Sequence, residues 1–115
     1  MEFLQEFKSK QDIIRNYECD ENALDGATIH LAWYGYGSYW GSSLVVFERD
    51  GKLYEVNGFH CSCCGLEGQW EPEETSWEAL AMRNLYADEY DGGGDAEEAL
   101  KRLVNQHLAK NPEVI

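Results

Sequence analysis

Residues 43–58 read SLVVFERDGKLYEVNG, and the reading of this stretch decides the fold. Two runs rich in β-branched and aromatic residues, 43–49 and 52–58, flank Asp50-Gly51. That pair tolerates positive φ at both positions and so specifies a two-residue type I′ hairpin turn. Counting back from the turn pairs Phe47 with Tyr54 and Val45 with Val56 on one face, and puts Glu48, Leu53, Val46 and Glu55 on the other. The first face is a core face. The second is mixed, which predicts partial cover by a helix or a loop.

Working outward, residues 28–34 are β-branched and aromatic and predict a preceding strand. Gly35, Gly37 and Gly41, interleaved with Tyr36, Tyr39 and Trp40, mark the loop between the two. Towards the N-terminus, Phe3, Leu4, Phe7, Ile13, Ile14 and Tyr17 fall close to helical spacing with Glu and Lys between them, which predicts a surface helix over 2–17. On the other side, Thr75 with Glu78 forms a capping box, and Trp77, Leu80, Ala81 and Leu85 give a stripe for a helix over 76–87. A further helix begins after the hinge Gly92-Gly93-Gly94, capped by Asp95 with Glu98 three residues on, and stops at Asn111-Pro112. The expected class is α+β, an antiparallel β-meander of three to four strands with an N-terminal helix and two C-terminal helices on one face. Residues 1–115 form a single domain in this reading.

Composition narrows the function. Hydrophobic residues at 43% and aromatic ones at 13% are those of a folded chain rather than of low-complexity disorder. The longest apolar runs, such as Leu44-Val45-Val46-Phe47, fall far below the roughly 18 to 20 residues needed to span a bilayer. The N-terminal segment lacks the basic-then-apolar order of a signal peptide, so a cytoplasmic location is expected. The 22 acids against 9 bases give a net charge of −13. A field of that sign repels nucleic acid and anionic lipid and steers basic partners inward, which argues against direct nucleic-acid or membrane binding.

The chemistry-bearing residues crowd into 57–78, NGFHCSCCGLEGQWEPEETSWE. In a reducing cytosol the four cysteines do not imply disulfides. Zinc takes four Cys or His ligands in a tetrahedron, normally in pairs at C-x₂-C spacing. His60, Cys61, Cys63 and Cys64 are too crowded for such a pair of pairs, since neighbours on an extended segment face opposite ways. A zinc site on His60, Cys61 and Cys63 would need a distant ligand, with Cys19, His30 and His107 as the candidates. The competing reading is a tight turn packed with small buried thiols. Cysteine catalysis requires a neighbour that lowers the thiol pKa, and the surrounding acids do the opposite, so no enzymatic role is expected. Glu71, Glu73 and Glu74 lack a nearby His, Lys or Arg to set acid and base roles.

Two surfaces remain. The loop Trp33-Tyr34-Gly35-Tyr36-Gly37-Ser38-Tyr39-Trp40 has no Lys or Arg near it, so Tyr36 and Tyr39 fit core packing or a protein-binding patch better than base stacking. Between Glu67 and Glu98 there are eleven acids and the single base Arg83. Carboxylates at i and i+4 on a helix, or i and i+2 on a strand, lie about 6 to 7 Å apart, close to the phosphate spacing of a nucleic-acid strand. A protein-binding surface is therefore expected on Glu67, Trp70, Glu71, Glu73, Glu74, Glu78, Asp88, Glu89 and Asp91, with Tyr36 and Tyr39.

The pattern F-E-x-D-G-K-L-Y-E-V-N-G followed by H-C-S-C-x-G-L-E-x-Q-W-E-P-E-E-T, over about residues 34–82, resembles a group of small, largely uncharacterised phage and prophage proteins. Position 64 is usually aromatic in sequences of that kind, so the resemblance implies that Cys64 is not an obligatory ligand. It supplies a setting rather than an activity. Small acidic phage proteins are often antagonists of host machinery, including inhibitors of restriction or CRISPR nucleases that present a DNA-like surface. The expectation is a non-enzymatic accessory protein that binds a partner with a basic surface, a DNA mimic in that sense; the alternative is a small zinc-binding structural or sensing module.

Overall fold

The computed structural model describes residues 2–5, 7–35, 41–60, 65–82 and 93–108, with side chains for all of these except 2, 4, 5, 41, 60 and 93–95. In chain order the elements are β1 (Glu2–Gln5), α1 (Lys10–Tyr17), β2 (Thr28–Tyr34), β3 (Gly41–Arg49), β4 (Lys52–His60), β5 (Glu73–Thr75), α2 (Trp77–Leu80) and α3 (Gly93–Leu108). The strands form one sheet in the order β1-β2-β3-β4-β5, antiparallel throughout except for the parallel pair β1-β2. The class is α+β.

The hairpin is built as its turn chemistry requires. Asp50 and Gly51 take φ of 54° and 77°, and Phe47 pairs with Tyr54, Val45 with Val56, Glu48 with Leu53 and Val46 with Glu55. Both faces of this hairpin are covered. Val45, Phe47 and Val56 join Ile13 and Tyr17 of α1 in one core, while Val46 and Leu53 join Leu80 of α2 and Leu100, Leu103 and Val104 of α3 in another. The helices thus lie on both sides of the sheet, not on one. Glu55, on the second face, is only 1% exposed, and Asn57 Nδ2 donates to its Oε1 at 2.9 Å.

The N-terminal helix is shorter than its apolar spacing predicts. Residues 2–5 pair in parallel with 31–34, and the helix starts only at Lys10, with Ser9 as its N-cap accepting from the Asp12 N–H. A parallel pair needs a crossover, and α1 supplies it on the first core face. The antiparallel meander runs from β2 to β5 and has four strands, within the expected three to four, and β1 adds a fifth, parallel strand at one edge of the sheet. Helix α2 ends at Leu80, with Ala81 and Met82 in a turn, and residues 83–87 of the expected 76–87 helix lie outside the described residues. Helix α3 begins at Gly93, so Gly93 and Gly94 form its first turn and Asp95 lies within it instead of capping it; the stop at Asn111-Pro112 lies outside the described residues.

A bulge in β2 shapes the second face. Ile29 pairs with Phe47 and Leu31 with Val46, leaving His30 as the extra residue. A bulge re-aims the side chain it carries. Ile29 packs in the first core and Leu31 in the second, and His30 turns to the α2 and α3 side, where it meets Trp77 and His107.

Candidate functional site

The acidic segment follows the outer edge of β4. In a two-residue hairpin the pair next to the turn, Arg49 and Lys52, is hydrogen-bonded, so the main-chain groups of Leu53, Glu55, Asn57 and Phe59 point away from β3. Strand β5 takes two of these rungs, Leu53 with Thr75 and Glu55 with Glu73. The rung at Phe59 is taken by a side chain. Phe59 N donates to Gln69 Oε1 at 2.8 Å and Gln69 Nε2 donates to Phe59 O at 2.7 Å, so one carboxamide makes both bonds of a strand partner. Gln69 Nε2 also donates to Gly65 O at 2.9 Å. The turn 66–69 that delivers it closes through Gln69 N to Leu66 O at 3.1 Å, with Gly68 at φ 80°.

Along this edge Glu67, Glu71, Glu73, Glu74 and Glu78 are all exposed. Glu67 Oε1 accepts from Gly65 N at 3.1 Å, and the backbone N–H groups of Glu67 and Gly65 hold its carboxyl below the ordinary glutamate value. Glu73 and Glu74 are neighbours on a strand and point to opposite faces of the sheet. The carboxylates therefore form a rim around an edge, not the single row that i and i+2 spacing predicts. Beyond β5, Ser76 caps α2 by accepting from Ala79 N at 3.1 Å, which fixes the segment bearing Glu78.

No Lys or Arg occurs in residues 65–82, and no ion pair to these five glutamates is found among the described residues. Several bases are engaged elsewhere. Lys10 Nζ donates to Ala27 O at 2.6 Å, Arg49 Nη1 to Ala23 O at 2.8 Å, Arg15 pairs with Asp12 and Lys101 with Glu97.

Trp70, expected at the partner surface, is half-buried in the first core. Its ring stacks over Phe47 at 5.9 Å and meets Tyr17 edge-on at 5.2 Å. Tyr36, Tyr39, Asp88, Glu89 and Asp91 lie outside the described residues, as do Cys61, Cys63 and Cys64; of His60 only the backbone is described, paired with Gly41.

The three candidates for a distant zinc ligand divide between the two sides of the sheet. Cys19 packs against the first core, where burial pushes its thiol pKa up, and His30 and His107 lie on the other side of the sheet. Among the described residues no group of three or more His, Cys, Asp or Glu is arranged to hold a metal ion. The two histidines instead join Trp77 in an aromatic cluster, for which sequence offered only the residue types. Gln69 was equally hidden, since nothing local marks a glutamine as a strand surrogate.

Among the described residues no helix is long and apolar enough to cross a membrane. Comparison with protein-family models, with curated proteins and with solved structures finds no match to this chain.

Proposed function

We propose that this chain is an acidic accessory protein of phage type that acts by binding a protein with a basic surface, a nucleic-acid-handling or defence factor of the host. The observation that carries this reading is the rim of Glu67, Glu71, Glu73, Glu74 and Glu78, exposed on a hydrogen-bonded edge with no cation in residues 65–82. Carboxylates set on a rigid edge, rather than on a mobile tail, keep their spacing when a partner approaches. Little ordering entropy is then lost on binding. A groove that normally holds a phosphate backbone offers the complementary charge, and occupying it would block nucleic acid without any catalysis by this chain.

The test is capture of the partner from host lysate at graded salt, followed by titration of the purified pair. Affinity falls steeply with ionic strength for the native chain. Reversal of Glu71, Glu73 and Glu74 to Lys weakens binding and flattens that dependence while leaving the fold intact. Unchanged affinity in the folded triple variant removes the reading.

A further inference from the structure

On the face opposite the acidic turn, four elements meet at one cluster. Helix α3 contributes His107 from its last turn, α2 contributes Trp77, the bulge of β2 contributes His30 and β3 contributes Glu48. His107 stacks on Trp77 with centroids 4.1 Å apart and planes 13° from parallel. His30 stands edge-on to both, 5.2 Å from Trp77 and 5.1 Å from His107.

The hydrogen bonds fix where the protons sit. His107 Nδ1 lies 2.8 Å from Leu103 O, and a carbonyl only accepts, so Nδ1 carries hydrogen. His30 Nε2 lies 3.2 Å from Glu48 Oε1, and an ionised carboxylate only accepts, so Nε2 carries hydrogen. Both imidazoles satisfy these bonds in the neutral form. We propose that His30, His107, Trp77 and Glu48 form a proton-operated latch, which holds α2 and the C-terminal end of α3 on the sheet at neutral pH and releases them in acid.

The charges that face the latch decide its direction. Glu48 of β3 is the carboxylate in contact with His30, and it balances one added proton. His107, its ring 5.1 Å away, opposes a charge on His30 instead of sharing it. Trp77 of α2 is uncharged, and Glu78 of α2 and Glu98 and Arg102 of α3 are exposed. Burial, first among the causes, lowers the His30 pKa; the bond to Glu48 opposes it, and His107 acts with burial. The unfolded or undocked imidazole accepts its proton at the ordinary value of about 6.5. Protons therefore bind the released form more tightly, so docking is complete above about pH 6.5 and is lost as pH falls below it.

The experiment is amide hydrogen exchange on the whole chain from about pH 7.5 to about pH 5.5, expressed as protection factors so that intrinsic exchange rates cancel. Amides of residues 103–108 lose protection several-fold across that range, up to a ceiling of about tenfold for one imidazole, while hairpin amides of Val45, Phe47 and Val56 keep theirs. His30→Gln, which cannot titrate, makes α3 protection flat with pH, and His107→Phe, which keeps an aromatic ring on Trp77, reduces the loss without abolishing it. Equal loss in hairpin and helix, no loss in either, or an undiminished loss in both variants would each overturn the latch.

Discussion

The phenol of Tyr17 donates a 2.8 Å hydrogen bond to Oγ of Ser43, tying α1 to β3 through the middle of the first core. Both residues are buried, and burial drives the Tyr17 phenol pKa far above its ordinary value, with the Ser43 bond opposing it in smaller part. The hydroxyl is a permanent donor. Ser43 pairs with Gly58 across the hairpin, and a Cβ on Gly58 would stand 2.6 Å from the Tyr17 hydroxyl and 3.0 Å from Leu66.

Gly58→Ala should therefore destabilise the protein by about 1–3 kcal/mol through overpacking. Tyr17→Phe should cost about 1 kcal/mol by leaving the Ser43 hydroxyl without its donor. The two losses should not add, because removing the Tyr17 hydroxyl relieves the tightest of the contacts the new methyl makes. Urea unfolding of both single variants and the double variant checks this, and strict additivity would mean that the methyl is accommodated against Leu66 instead.

The carboxamide of Gln69 stands in for one strand residue at Phe59. Gln69→Ala should cost about 1 kcal/mol and speed exchange of the Phe59 amide. Gln69→Glu should cost more, although it is nearly isosteric. It keeps the acceptor for Phe59 N but sets a carboxylate oxygen against the carbonyls of Phe59 and Gly65, where an N–H stood. Chemical denaturation with residue-resolved exchange separates the two variants.

Turn chemistry at the hairpin gives a third prediction. Gly51 at φ 77° sits where a β-branched residue is strained, so Gly51→Val should cost about 1–2 kcal/mol. Asp50 at φ 54° is in a region that asparagine also enters readily, so Asp50→Asn should stay within about 0.5 kcal/mol. Thermal unfolding of both variants is sufficient.

The hairpin was legible in the sequence because two adjacent residues determine its turn, and the turn determines every pair behind it. Residues 28–34 were legible as a strand for their β-branched and aromatic content, but the bulge at His30 was not. A bulge is specified by how two faces pack, here Ile29 inward to α1 and Leu31 to α3, which no local window contains. Phe3 and Phe7 fit a helical stripe as well as they fit their true places, and the parallel partner that makes 2–5 a strand lies 29 residues on, from Glu2 to Leu31. A signal for the true helix start was present in Ser9 with Asp12 three residues later. The strand at Glu73–Thr75 runs against β propensity and exists because β4 offers open rungs at Leu53 and Glu55. The glutamates along this edge were visible in the sequence as residue types, but the division of Glu73 and Glu74 between two faces follows from that unforeseen strand.

Trp70 and the glutamates beside it should separate cleanly by experiment, because the fold uses them differently. Removing the Trp70 ring leaves Phe47 and Tyr17 facing a void, so Trp70→Ala should cost about 2–4 kcal/mol, somewhat below the range for a fully buried ring. Glu73→Lys and Glu74→Lys, both exposed, should stay within about 0.5 kcal/mol. Binding should show the reverse order. Trp70→Phe, which keeps an aromatic ring against Phe47, should leave partner affinity within about twofold, since an indole held in the core has little surface to offer. The two lysine variants then report how the partner sits. Because Glu73 and Glu74 point to opposite faces of the sheet, a partner that clasps the edge loses affinity comparably from either reversal. One that lies flat on a single face responds to one reversal and ignores the other. Calorimetric titration of each variant at one fixed salt concentration, paired with its unfolding curve, reads both properties from the same protein. A Trp70→Phe variant that folds normally but no longer binds would move the contact surface from the carboxylates to the ring.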